Sequence, residues 1–172
     1  MPIGQLNLQG KDKVQTAIER LQMFEPEEGY YLAFSGGKDS EVIKQLAIES
    51  GVKFDAHYNL TTVDPPELVN HIRENHKDVE VHKPEMSMWR LIESKSMPPT
   101  RWVRYCCQVL KEGGGDNRFI ITGVRWAESN KRKTNRKPVE FDTYGSQSKE
   151  AKEKRREFYE GDPSDQRHEP HY

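Results

Sequence analysis

The run Ser35-Gly36-Gly37-Lys38-Asp39-Ser40 carries the clearest chemistry in the sequence. Two adjacent glycines let the backbone turn tightly and bring its amide N–H groups close to an oxyanion, with no Cβ in the way. A continuous apolar run, Tyr30-Tyr31-Leu32-Ala33-Phe34, precedes them, and Val42, Ile43, Leu46, Ala47 and Ile48 follow at helical spacing until Gly51 stops the pattern. The order is strand, glycine turn, helix. A helix that begins there adds its unpaired N–H groups and the positive end of its dipole to the same spot. Ser35 and Ser40 supply hydroxyl donors and Lys38 a point charge, while Asp39 suits a helix cap or a hard cation such as Mg2+ travelling with phosphates. The spacing is neither GxxxxGKS/T nor GxGxxG, so this is an anion cradle of another kind.

Three further groups have chemical potential. Arg125 follows the apolar stretch 118–124, at the carboxyl edge where open α/β sheets bind ligands. Its guanidinium suits two-pronged recognition of phosphate or sulfate, with Glu128 three residues on to orient it, although a surface Arg–Glu pair reads the same way. Lys131, Arg132, Lys133, Arg136 and Lys137 extend that charge, and residues 100–137 hold ten basic against three acidic residues in a chain of net charge −1. Such a stretch fits a polyanion, either a phosphorylated small molecule or nucleic acid held through its phosphates, and equally a solvated basic surface. Cys106 and Cys107 are the two cysteines of the chain, and being adjacent they form no disulfide framework. Neighbouring helix positions point about 100° apart, so both thiols rarely serve one site. Arg101 and Arg104 nearby would favour thiolate.

The elements that must position these groups alternate. Residues 11–24 place Val14, Ala17, Ile18, Leu21 and Phe24 on one helical face. After the strand, turn and helix above, the pattern predicts a strand at 53–60, a helix at 66–75 capped by Asp64 or a neighbouring threonine, a strand at 79–82 and a helix at 86–94. A helix at 101–112 capped by Thr100 follows, then a buried strand at 118–124. This is an α/β chain with an open, mainly parallel sheet and flanking helices. Residues 139–144 suit one more short strand. The span 146–172 is half charged, and is expected as a separate tail with a frayed helix at 150–159 and a disordered end beyond a domain at 1–145.

Composition bounds the rest. At 172 residues one domain with a tail is expected, and Leu, Ile, Val and Phe make up about a fifth of the chain, which near zero net charge still supports a folded core. No apolar run approaches the roughly 18 residues of a membrane span, and the N-terminus lacks a signal-peptide layout, so a cytoplasmic location without a membrane partner is expected.

Four segments, in order, resemble the phosphoadenosine phosphosulfate (PAPS) reductases within the adenine-nucleotide alpha hydrolase superfamily. Residues 35–40 look like the pyrophosphate loop of that superfamily. The run Thr61-Thr62-Val63-Asp64-Pro65-Pro66-Glu67 is similar to the loop beside the nucleotide, Cys106-Cys107-Gln108-Val109-Leu110-Lys111 to the Cys-Cys pair, and Gly123-Val124-Arg125-Trp126-Ala127-Glu128-Ser129 to the Gly-x-Arg-x-x-Glu-Ser stretch. The resemblance implies a Rossmann-like sheet that binds PAPS, adenylyl sulfate or ATP through Ser35, Gly36, Gly37, Lys38, Asp39, Ser40, Thr62, Asp64, Arg125, Glu128 and Ser129. Sulfur transfer or reduction is the chemistry it implies. ATP pyrophosphatase activity in nucleic-acid thiolation and a non-catalytic nucleotide-binding remnant stand as alternatives. In related reductases the cysteine pair supplies two ligands of an iron–sulfur cluster, a later Cys-x-x-Cys the others, and a Glu-Cys-Gly cysteine the nucleophile. None of the later cysteines occurs here, so the resemblance implies a C-terminally shortened copy that keeps the nucleotide site. An iron–sulfur or Zn site at Cys106 and Cys107 would then need a homodimer or partner protein to complete it.

Overall fold

A computed structural model describes residues 12–111, 114, 115 and 118–123. The chain divides after Val124 into two units, and all described residues belong to the first. Their order is α1 (Lys13–Met23), β1 (Tyr30–Ala33), α2 (Lys38–Ser50), β2 (Phe54–Asn59), α3 (Pro66–Asn75), β3 (Val79–His82), α4 (Met88–Lys95), α5 (Tyr105–Leu110) and β4 (Ile120–Ile121). The strands form one sheet in the order β3-β2-β1-β4, and every neighbouring pair is parallel, so the expected α/β class holds.

Local chemistry sets most boundaries. Asp12 caps α1, its carboxylate accepting the Val14 N–H at 3.1 Å. Gly51 ends α2 in the left-handed region at φ 71°, the conformation that the glycine stop signal demands. Two expectations are corrected. No side chain caps α3: its N-cap is Pro65, and the Asp64 carboxylate instead accepts the Thr61 N–H at 2.6 Å. The helix expected over 101–112 is only α5, because Thr100 closes a local turn rather than a cap. Its N–H donates to the Val103 carbonyl at 3.1 Å and its hydroxyl accepts the Val103 N–H at 3.0 Å, leaving Trp102 92% exposed. The strand expected at 139–144, the helix at 150–159, the disordered end and the 145/146 boundary lie outside the described residues.

The main core lies on one face of the sheet. Tyr30, Leu32, Phe34, Ala56, Tyr58, Val79 and Ile121 pack there with Ala47 of α2, Ile72 of α3 and the partly buried Leu21 of α1 and Ile43 of α2. Because strand side chains alternate, the same strands turn Tyr31, Asp55, His57, Glu80 and His82 to the opposite face. There the chain returns after α5: Asn59 Nδ2 donates to the Lys111 carbonyl at 2.9 Å, and Gly115 lies against the Tyr31 ring. A smaller cluster of Leu91, Tyr105 and Leu110, with Met88 and Cys106 against it, joins α4 to α5.

Lys44 of α2 is a buried cation, and its Nζ donates to Asp78 Oδ1 at 2.8 Å and lies 3.2 Å from His76 Nδ1. Burial alone would raise the Asp78 pKa, but the Lys44 hydrogen bond and charge outweigh it and hold the carboxyl below its ordinary value. A lowered carboxyl pKa contributes stability above the ordinary carboxylate range and loses it as pH falls. Asp78→Asn is therefore expected to cost about 1 kcal/mol at neutral pH, with the difference from wild type fading as the pH drops through that range, as read by urea denaturation at several pH values. Ile72, 1% exposed at the centre of the core, is expected to cost roughly 2–5 kcal/mol when changed to Ala in the same assay.

Candidate functional site

Residues 34–37 connect β1 to α2 at the carboxyl edge of the sheet, with the turn itself at 35–37. From β1 the strand order runs through β2 to β3 on one side, while β4 returns on the other, so β1 and β4 flank the point where the order reverses. Open α/β sheets bind ligands in the crevice at such a point. Gly36 has φ 68°, in the left-handed region, and a Cβ there would stand 2.6 Å from Leu68 Cδ1 and 2.9 Å from Ile72 Cδ1. The backbone conformation thus calls for glycine, and a Cβ would in addition have to push the terminal methyls of Leu68 and Ile72 aside. Gly37 is the N-cap of α2 and has no side chain with which to cap; its carbonyl accepts the N–H of Ser40 at 2.9 Å and of Glu41 at 3.1 Å.

Among the described residues no hydrogen bond uses the backbone N–H of Gly36, Gly37 or Lys38. These donors stand where the 13-residue helix α2 begins. The hydroxyls behave differently. Ser40 is buried, donates to the Gly37 carbonyl at 2.8 Å and accepts from Ser35 Oγ at 3.2 Å, so this pair braces the turn from inside. Lys38 is exposed at the first position of α2. Asp39 does not occupy the cap position; with Glu41 it lies in the first turn, where a carboxylate complements the helix dipole. The end of β4 closes on the same turn, since a Cβ on Gly123 would come within 2.8 Å of the Asp39 carbonyl oxygen. Arg125, Glu128 and Ser129, and the whole basic stretch 125–137, lie outside the described residues.

The loop after β2 is held by its own side chains. Besides the Asp64 bond to Thr61, Thr62 adopts φ 64°, and its hydroxyl accepts the N–H of Met88 at 2.9 Å, tying the loop to the start of α4. Thr62 and Asp64, both expected near the nucleotide, thus order the loop at the carboxyl end of β2, beside β1 in the sheet.

Cys106 and Cys107 share α5 and are both free and half-buried. Cys106 packs against the Leu91–Tyr105–Leu110 cluster, whereas Cys107 Sγ accepts from Arg104 Nη2 at 3.2 Å. The thiols therefore serve two environments, as adjacent helix positions dictate. Neither belongs to a group of three candidate metal ligands among the described residues. Two divergent thiols with no third donor among the described residues do not by themselves make up an iron–sulfur cluster or a tetrahedral Zn site.

One constellation escaped the sequence reading. On the sheet face opposite the core, Arg118 grips Asp55 with both terminal nitrogens, Asp55 contacts His57 Nε2, and His57 Nδ1 lies 2.8 Å from His82 Nε2. Tyr31 stacks on His57 with ring centroids 4.1 Å apart and planes 4° from parallel. Hydrogen bonding from Arg118 outweighs burial, and with the His57 contact it lowers the Asp55 pKa from 3.8 to about 2. The alternation Asp55-x-His57 on one strand and Glu80-x-His82 on the next was a usable signal, but only strand pairing brings the two together.

The family model described as the phosphoadenosine phosphosulfate reductase domain matches residues 29–152, well over half of the chain. The chain belongs to this family. The match includes the turn at 35–37, the loop at 61–64, the cysteine pair and the Gly123 stretch. No curated protein and no solved structure matches the chain. In this member of the family no helix of the described residues is long and apolar enough to cross a membrane. Its Gly36 is expected to resist substitution: Gly36→Ala should lower stability by roughly 1–3 kcal/mol, read from the urea midpoint, through the left-handed backbone and the contact with Leu68 and Ile72.

Proposed function

We propose that this chain binds an adenine nucleotide bearing a sulfate or pyrophosphate group, with the anionic end seated in the turn at 35–37. The observation that carries the reading is the set of Gly36, Gly37 and Lys38 amides, which bond to nothing among the described residues and stand at the N-terminus of α2 at the sheet's reversal point. Unbonded N–H groups at a helix N-terminus and the helix dipole favour an oxyanion, and Lys38 adds a full charge. Ser35 and Ser40 act chiefly by bracing the turn, and Ser35 retains the exposure to reach a ligand. Asp39 in the first turn suits a Mg2+ ion brought by the phosphates. Thr62 and Asp64 shape the neighbouring loop around the nucleotide. Arg125, Glu128 and Ser129 enter through the sequence alone, as the clamp on the anion and its support. PAPS, adenylyl sulfate and ATP share this anionic chemistry, and sulfur transfer or reduction is the reaction class that family membership favours.

Calorimetric titration of the full chain with PAPS, adenylyl sulfate and ATP with Mg2+ tests the reading. Saturable binding of at least one nucleotide is expected, with affinity reduced tenfold or more by Lys38→Ala, about 1.4 kcal/mol for each factor of ten. Binding of ATP alone, with pyrophosphate release in the presence of an acceptor, would move the assignment to the pyrophosphatase reaction. A folded sample that gives no heat with any of the three would overturn it.

A further inference from the structure

We propose that His57, Glu80 and His82 form a binding site for a first-row divalent cation of the zinc type, on the sheet face opposite the main core. The three residues come from adjacent parallel strands in register, His57 facing Glu80 and Asn59 facing His82. One ligand atom from each lies within 4.8 Å of the others. His57 Nδ1 is 2.8 Å from His82 Nε2 and 3.6 Å from Glu80 Oε2. Two imidazoles and one carboxylate are a donor set that suits zinc and its neighbours in the first row.

The surroundings of His57 are built for ligation. Asp55 can only accept at His57 Nε2, so that nitrogen carries the proton and the lone pair is left on Nδ1, the atom that faces His82 and Glu80. Arg118 holds Asp55 through both carboxylate oxygens and keeps it ionised. A carboxylate behind a histidine, fixing its tautomer and orientation, is the usual outer support of a metal-bound imidazole. Tyr31 stacks on the ring and sets its plane. His57 is buried, whereas Glu80 and His82 side chains are 67% and 41% exposed, which leaves a fourth coordination position open to water.

Without a cation, His82 Nε2–H donates into the His57 lone pair. On binding, His82 gives up its Nε2 proton to water and takes one from water at its own Nδ1, so that Nε2 is free for the metal and the ring stays neutral. Ligand atoms about 2.0–2.1 Å from a tetrahedral ion stand roughly 3.3 Å apart, so the two nitrogens must separate by about half an ångström and the partly exposed His82 ring, 25° from parallel to His57, must turn to bring its lone pair onto the same ion. The other histidine cluster, Glu41, His71 and His76, is a poorer host because the Lys44 ammonium already lies 3.2 Å from His76 Nδ1.

Titrating the full chain with Co2+ and following its visible absorption tests the site, with Zn2+ as competitor and no nucleotide present. One equivalent of Co2+ with the intense bands of a tetrahedral nitrogen and oxygen site is expected, displaced by Zn2+. Glu80→Gln, isosteric and on an exposed side chain, and His82→Ala should each weaken binding at least tenfold. The double change Cys106→Ser and Cys107→Ser, and His71→Ala, should leave it unchanged; circular dichroism establishes that each variant is folded. Absence of stoichiometric binding, sulfur-to-metal charge-transfer bands that vanish in the cysteine variant, or an affinity indifferent to both Glu80→Gln and His82→Ala would overturn the proposal.

Discussion

The carboxyl edge of this sheet depends on the backbone passing through the left-handed region at Gly36 while Leu68 and Ile72 of α3 close over the missing Cβ. That one close approach joins the exit of β1, the start of α2 and the middle of α3. The turn is therefore part of the core's packing rather than a surface loop resting on it.

Inside the turn, hydroxyls and amides divide the work. The buried Ser40 hydroxyl links the exposed Ser35 to the Gly37 carbonyl, while the N–H groups of Gly36, Gly37 and Lys38 take no part in this bonding. A similar economy appears in the loop after β2, where Asp64 and Thr62 serve backbone N–H groups and fix its path. Several polar residues with a ligand-like appearance thus hold the backbone of these two loops in place.

The two faces of the sheet have different chemistry because strand alternation meets different partners on each. One face meets α1, α2 and α3 and is apolar. The other carries the chain Arg118, Asp55, His57 and His82, in which each charged or polar group has the next as its partner. The two-pronged bond from Arg118 holds the Asp55 carboxyl below its ordinary range, and the charged carboxylate orients His57. The cysteine pair, more conspicuous in the sequence, is the weaker constellation in space because one thiol is used in packing and the other faces Arg104.

By itself the sequence determined the alternation of strands and helices, the glycine turn between β1 and α2, the left-handed stop at Gly51 and family membership. Each depends on residues near one another along the chain, or on a pattern that local sterics enforce. Helix α5 is shorter than its pattern predicts because Thr100 finds its partner in Val103, a competition that propensity does not decide. Only the tertiary structure decided which face each strand buries, that Leu68 and Ile72 seal Gly36, that Gly123 meets Asp39, and that His57 faces Glu80 and lies beside His82. Those pairings join residues 23 to 84 positions apart, and they follow from strand order and register, which no local spacing encodes.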